Sequence, residues 1–268
     1  MRDMKTINFS QIMICLLFCI FFHTSFSFLY AQPVRPFTIA GDEDEPPYGY
    51  VTQKGEFEGV FVDIMREACR RMNIPLDHTP YPWVRAQHLS RTGEADAIIT
   101  VPTDERKKHY VYTKNSLVDF EFVAFVRKDH PDLQKMRLYK KIDDFKTFKV
   151  LDYIGNGWGE QNLRNLNVDR GGSHTQVILK LAGKRGDVFI FVKTTTLYLI
   201  KSMHANPSNQ GLGIDSVIAL PNILDRKGFH LLIAKNSPYV RLLPQFEAVL
   251  SDMHTDGTIK NILRKYEQ

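Results

Sequence analysis

Polar side chains with chemical capability stand where apolar, strand-like runs stop. Asp42 and Glu45 follow Phe37–Gly41, and Arg106 comes shortly after Ala97–Val101. Asn156 and Trp158 follow Val150–Ile154, and Lys193 and Thr194 follow Val188–Val192. In open α/β sheets, ligands lie in the crevice beyond the carboxyl ends of the strands. Each residue taken alone is an ordinary solvated loop residue, but their joint placement favours a cleft. Thr103-Asp104-Glu105-Arg106 also reads as a helix start with Thr103 as cap. Backbone N–H groups there and the Arg106 guanidinium would converge on an anion, and a carboxylate suits that fork geometrically.

Reaction templates are missing. The chain has no Gly-x-Ser-x-Gly, no His-Glu-x-x-His and no phosphate-loop Gly-x-x-x-x-Gly-Lys. Gly155-Asn156-Gly157-Trp158-Gly159 is glycine-rich but lacks dinucleotide spacing. Beyond residue 31 the histidines lie singly, with no pair at metal-ligand spacing on one predicted helix. No cofactor and no metal are therefore expected. The 268 residues carry a net charge of +5, without any run of five or more Lys/Arg, so nucleic acid is not the expected partner. The length suffices for one large domain or two small ones, each with a buried core.

Arg2 and Lys5 precede the apolar run Ile12–Phe22, and Leu29-Tyr30-Ala31 follows a more polar stretch. This is the pattern of a secretory signal peptide over residues 1–31, cut after Ala31 or, as second choice, at Ser27. The competing reading, an uncleaved membrane anchor, needs ~20 apolar residues, and His23, Thr24, Ser25 and Ser27 interrupt them. Cys15 and Cys19 leave with the signal. Cys69 then stands alone and no intramolecular disulfide can form. The expectation is a free, monomeric periplasmic protein.

Strands and helices alternate to position the polar strand ends. Val60, Ile64, Ala68 and Met72 repeat every four residues, with Phe61, Met65 and Cys69 beside them, which predicts an amphipathic helix with Cys69 inside. Pro82-Trp83 opens a second helix that Gly93 stops, and Ala95–Val101 is a buried strand. The same grammar recurs in Phe148–Ile154, the helix ending at Ala182 with its stop Gly183, and Val188–Val192. Glu121–Arg127, Val217–Pro221 and Phe229–Ile233 are further strands, and Leu242–Tyr266 is helical with interruptions at Pro244 and Gly257. Such alternation predicts an α/β fold with a mostly parallel sheet, and the echo between the two units suggests two similar lobes.

Four ordered motifs carry a family resemblance over residues 35–267. They are Pro47-Tyr48 … Gly55 … Gly59-Val60-Phe61-Val62-Asp63-Ile64; Trp83 … Gly93 … Asp96; Thr103-Asp104-Glu105-Arg106 with Tyr112-Thr113; and Gly183 to Asp187 before a strand. In these the chain resembles the bacterial periplasmic solute-binding proteins of ABC transporters, polar-amino-acid type (family 3). The resemblance implies two α/β lobes joined by two crossing strands, with lobe 1 at 32–127 plus 218–268 and lobe 2 at 128–217, closing on a solute. It implies a binding role without catalysis, and a membrane ABC permease or a sensor receptor as partner. Arg106 would hold the solute's carboxylate, Asp42 is the acid after the first strand, and Tyr48 and Trp83 are the cleft aromatics. Asp63, Asp96 and Asp187 would be structural.

Two departures from the family pattern bear on the solute. The acid that normally holds an α-ammonium past the second-lobe strand is absent from Val192-Lys193-Thr194-Thr195-Thr196, and Ile99-Thr100-Val101-Pro102 replaces the usual small residue and hydroxyl. Unless Asp42, Glu43 or Glu45 substitutes, a buried ammonium would be unpaired at a cost of several kcal/mol. Lys193 in the cleft would instead favour a second negative group, as on a dicarboxylate. Two other functions remain open: a ligand-sensing subunit for a membrane receptor, and a periplasmic dehydratase using Glu45 or Glu43 as its poised acid.

Overall fold

Alternating apolar residues in Phe37–Asp42 form strand β1, and the parallel partners on either side of it define the first half of the molecule. The computed structural model describes residues 35–266, and the residues from Pro36 onward form one compact unit. The expected signal peptide, its anchor alternative, Cys15 and Cys19 lie outside the described residues. Among the described residues, no helix is long and apolar enough to cross a membrane.

After β1 come β2 (Asp44–Glu45), β3 (Gly49–Val51) and β4 (Phe57–Glu58), which pair as a small antiparallel sheet. Helix α1 (Val60–Arg71) buries the face expected from its period, with Ile64, Met65, Ala68 and Cys69 shut off from solvent. It begins at Gly59, where φ is +138° and a Cβ would stand 2.3 Å from the Tyr48 carbonyl oxygen, so only glycine fits. Strand β5 (Leu76–Tyr81), α2 (Trp83–Thr92), β6 (Ala97–Thr100), α3 (Asp104–His109) and β7 (Tyr110–Tyr112) complete this half. Gly93 ends α2 in the left-handed region, as its position in the sequence requires.

Two strands cross between the halves. β8 (Val118–Arg127) runs antiparallel to β12 (Val217–Ala234), with register shifts between Ala219 and Ile223 and between Ile223 and Asp225. The far half holds α4 (Leu133–Met136), β9 (Lys149–Tyr153), α5 (Gly157–Asn162), β10 (Asn167–Gly171), α6 (His174–Ala182), β11 (Val188–Val192) and α7 (Lys193–Ala205). The last helices, α8 (Leu243–Thr255) and α9 (Thr258–Tyr266), return to the first half and pack on α1. The strand order of the main sheet is β10-β9-β11-β8-β12-β6-β1-β5, with β7 paired to β12. Ladders among β1, β5 and β6 and among β9, β10 and β11 are parallel, and those involving β8 and β12 antiparallel.

Phe122–Val126 pair with β11 and Val217–Ala219 pair with β8, with the register shifts at Ile223 and Asp225 between these ladders and those of the first half. A strand can belong to one lobe at each end, which apolar patterning does not register. Pro244 does not interrupt a helix; it sits in the first turn of α8, where its missing N–H costs nothing. Gly157–Gly159 form the first turn of α5. Asp63, Asp96 and Asp187 have structural partners: Asp63 accepts from Lys265 and Tyr266, Asp96 from the Thr38 backbone and Ser237, and Asp187 from the Lys149 backbone.

Candidate functional site

Arg106 lies between the halves with only 7% of its surface exposed. The first turn of α3 places it there, with Thr103 Oγ1 capping by accepting from the Arg106 backbone N–H. Its Nη1 donates to Thr100 Oγ1 at 2.9 Å and to the Val101 carbonyl at 3.0 Å, and Nη2 donates to Gln87 Oε1 at 3.1 Å. No acceptor meets Nε. A guanidinium has five N–H groups, so those on Nε and one on Nη2, adjacent nitrogens, remain. Thr100, in the segment that departs from the family pattern, thus supplies the hydroxyl that orients the guanidinium. The Trp83 ring lies 5.3 Å from Arg106 Cζ.

Two acids share a cavity with Arg106, Glu45 buried and Asp42 half-buried. Asp42 ends β1 and Glu45 ends β2, and both line one small cavity with Arg106, Thr100, Trp83 and Asn156. Burial pushes the Asp42 carboxyl up to about 7, against the opposing effect of the Asp44 N–H that it accepts at 3.0 Å. Burial, and then the Asp42 charge, hold Glu45 well above the carboxylate range, with Arg106 pulling it down. Burial likewise lowers the Arg106 value. Aromatic rings, Phe122, Tyr153, Trp158, Phe191 and Phe229, form the remaining walls. The cavity measures about 20 Å³, room for roughly one water.

The second half contributes through α5. Asn156 caps that helix by accepting from the Gly159 N–H, while its amide donates to Asp152 Oδ1 at 2.7 Å. Trp158 stacks on Phe122 with ring centres 4.1 Å apart and donates through Nε1 to Asp225 on the crossing strand. A Cβ on Gly157 would come within 3.0 Å of Arg106 Cζ, so the start of α5 rests directly on the guanidinium. Among the described residues, hydrogen bonds tie the halves together. Trp83 Nε1 and Gln87 Nε2 both donate to the Gly155 carbonyl, at 2.8 and 3.2 Å. The Asp104 N–H donates to Gln161, and His174 Nδ1 donates to the Asp44 carbonyl at 3.0 Å. Burial pushes the His174 imidazole down to about 4.

Of the residues picked out by sequence, Asp42, Glu45, Trp83, Arg106, Asn156 and Trp158 converge on this cavity. Tyr48 does not line it. Its ring packs edge-on against Phe120 at 4.4 Å and beside Phe61, within the core of the first half. Lys193 and Thr194 also stay outside. β11 passes straight into α7 at Lys193, and the first helical turn aims both side chains at solvent; Lys193 lies 3.9 Å from Glu121 on the surface. Lys193 is therefore not beside the cavity, where it would favour a second negative group on the solute. Glu43 is exposed and absent from the lining, which leaves Glu45 as the one poised glutamate there. The sequence reading missed Gln87, Tyr153, Phe191 and Phe229. Gln87 lies one helical turn after Trp83, a spacing that puts both on one face; the aromatics read as ordinary core. Among the described residues no group of three His, Cys, Asp or Glu could hold a metal ion.

Two α/β lobes on a shared pair of crossing strands, with charged groups of both signs buried between them, define a two-lobed binding protein. The chain belongs to the bacterial extracellular solute-binding proteins, family 3, whose pattern matches residues 37–268. Solved structures show the same fold. A histidine kinase sensor domain with similarity to periplasmic binding proteins superposes with a TM-score of 0.75 at 16% identity, covering 87% of this chain and 96% of that one. The arginine-, lysine-, histidine-binding protein ArtJ from Geobacillus stearothermophilus gives 0.70 at 17% identity over 87% and 95%. Holo ArgBP from T. maritima gives 0.67 at 21% identity over 84% and 94%. No curated protein matches the chain in sequence.

Proposed function

We propose that the chain captures a small solute carrying both a carboxylate and an ammonium group, an amino acid or close relative, between its lobes. The observation that supports this is a buried Arg106 with Nε unpartnered, sharing one cavity with Asp42 and Glu45. A carboxylate placed side-on to Nε and Nη2 forms a charge-assisted bidentate contact. An ammonium facing Asp42 and Glu45 stabilises their ionised forms and removes the cost of two desolvated, like-charged acids. These two acids stand in for the second-lobe acid that the sequence lacks. With two acids to one guanidinium, the site favours solutes of zero or positive net charge over dicarboxylates.

The cavity of about 20 Å³ is too small for any amino acid, so the lobes part at Glu121 and Ile223–Asp225 before a solute enters. Closure then restores the bonds from Trp83 and Gln87 to Gly155 around it. Export to the periplasm and delivery to an ABC permease complete this reading. The likeness to a histidine kinase sensor domain supports a second reading, in which the closed form reports to a membrane receptor.

Titration calorimetry of the exported form against neutral, basic and acidic L-amino acids and against dicarboxylates tests the proposal. A zwitterionic or basic amino acid should bind, and Arg106→Gln should abolish it. Tight binding of a dicarboxylate, or binding unaffected by Arg106→Gln, would overturn the reading.

A further inference from the structure

From the second lobe, Tyr153, Asn156, Trp158 and Phe191 line the solute cavity. Phe191 has no polar side-chain atom. Asn156 accepts from the Gly159 N–H and donates to Asp152, and Trp158 Nε1 donates to Asp225. The Tyr153 hydroxyl differs from these, because among the described residues no hydrogen bond reaches it. It is the one polar side-chain group on this wall with its hydrogen and both lone pairs unengaged.

The ring that carries this hydroxyl is fixed. Tyr153 is the last residue of β9 and only 7% exposed, edge-on to His174 at 4.1 Å and to Phe191 at 5.4 Å. Packing, and no bond of its own, holds the phenol at the cavity, and a buried hydroxyl without a partner costs stability. The parallel strand β9 ends here, at the carboxyl edge of the sheet where ligands lie. Burial pushes the phenol well above its usual range, and the charges that raise it further are first Glu45 and then Asp42, with Arg106 opposing. The hydroxyl therefore lies in the field of the two acids of the first lobe.

Arg106, Asp42 and Glu45 all belong to the first lobe, so their bonds to a solute are the same whether the lobes are open or closed. A ligand shifts such an equilibrium only by its difference in affinity for the two states. The rings of Phe191 and Trp158 offer apolar contact on closure, and a directional bond has the Tyr153 hydroxyl to go to. A primary ammonium also has three N–H groups, of which Asp42 and Glu45 take two. We infer that Tyr153 Oη accepts the third N–H of the solute ammonium, and that through this contact the bound solute holds the second lobe closed. The inference rests on the reading of the site as one for amino acids. It puts a neutral oxygen where the second lobe lacks an acid, which completes the ammonium's partners without a third negative charge.

Tyr153→Phe tests this, because it removes the oxygen and keeps the ring with its packing on His174 and Phe191. The melting temperature of the solute-free variant should be unchanged or higher, which shows that the fold is intact. Parent and variant are titrated calorimetrically with the common L-amino acids. Each primary amino acid that binds the parent should bind the variant at least tenfold more weakly, since a hydrogen bond to a charged group is lost. The loss should be similar for every side chain, because all share the ammonium. Both tryptophans of the chain line the cavity, so stopped-flow fluorescence follows binding and closure. Association should stay within about twofold, as first-lobe groups capture the solute before closure, and the loss should appear as faster dissociation. A ring that merely packs would change neither rate. Equal affinities for parent and variant would overturn the inference and leave the proposed function standing. A loss confined to one amino acid would put the hydroxyl beside the solute's side chain and overturn it too. If no amino acid binds the parent, the proposed function and this inference fall together.

Discussion

Replacing Asp42 by Asn tests the electrostatics of the site without a solute. The native carboxyl titrates at about 7 rather than 3.8, chiefly because it is buried. Below pH 3.8 the group is protonated in both folded and unfolded chains and contributes nothing to the pH dependence. Between pH 3.8 and 7 the unfolded chain loses the proton while the native one keeps it, so stability falls as pH rises. Above pH 7 the whole penalty is present. At 1.36 kcal/mol per tenfold change in proton affinity, the rise from 3.8 to about 7 bounds the penalty at ~4 kcal/mol, which Asp42 shares with the acids beside it. Asn keeps the oxygen that accepts from the Asp44 N–H and cannot ionise, so the variant should be the more stable protein at pH 8. For a chain of this size that corresponds to a melting temperature higher by on the order of 10 °C. Thermal unfolding of both proteins from pH 4 to 8 is the assay, and the gap should close towards pH 4. A variant no more stable than its parent at pH 8, or a gap independent of pH, would refute the reasoning. The same variant should bind an amino acid more weakly, because the charge that costs stability is the one that holds the ammonium.

Three other perturbations probe the closed cleft. Gly157→Ala places a methyl group 3.0 Å from a guanidinium already fixed by three hydrogen bonds, so closure should be hindered; calorimetry should show at least tenfold weaker solute binding with little change in melting temperature. Lys193→Ala should leave solute affinity within about twofold, since that side chain is 46% exposed and reaches only Glu121, and a larger loss would place Lys193 in the site after all. His174 is expected to make closure acid-labile. Its value of about 4 lies below the usual 6.5, so the stability it contributes is complete above pH 6.5 and is lost as pH falls towards 4. Small-angle scattering between pH 7 and 4 should follow a widening of the solute-free protein that His174→Gln, which keeps an N–H donor, reduces.

Sequence alone determined much of this protein, because its signals are local. The period of Val60, Ile64 and Ala68 specifies a helix and its buried face, and Gly59 and Gly93 specify backbone that side chains resist. Thr103 and Arg106 lie within one helical turn, so cap and guanidinium are fixed by chain geometry. Polar residues at strand ends pointed to the cleft for the same reason. Only the tertiary structure could decide which of them face each other. Lys193 and Thr194 follow a strand just as Asp42 does, yet one turn of α7 carries them to solvent, and no short pattern encodes that rotation. Tyr48 matches a motif and packs in a core instead. The gathering of Asp42 and Glu45 into one cavity with Arg106 joins residues about sixty positions apart, and the raised values of the two acids arise chiefly from burial. Burial of a charge is a property of everything packed around it, which is why sequence could name the groups and only the folded chain could set their chemistry.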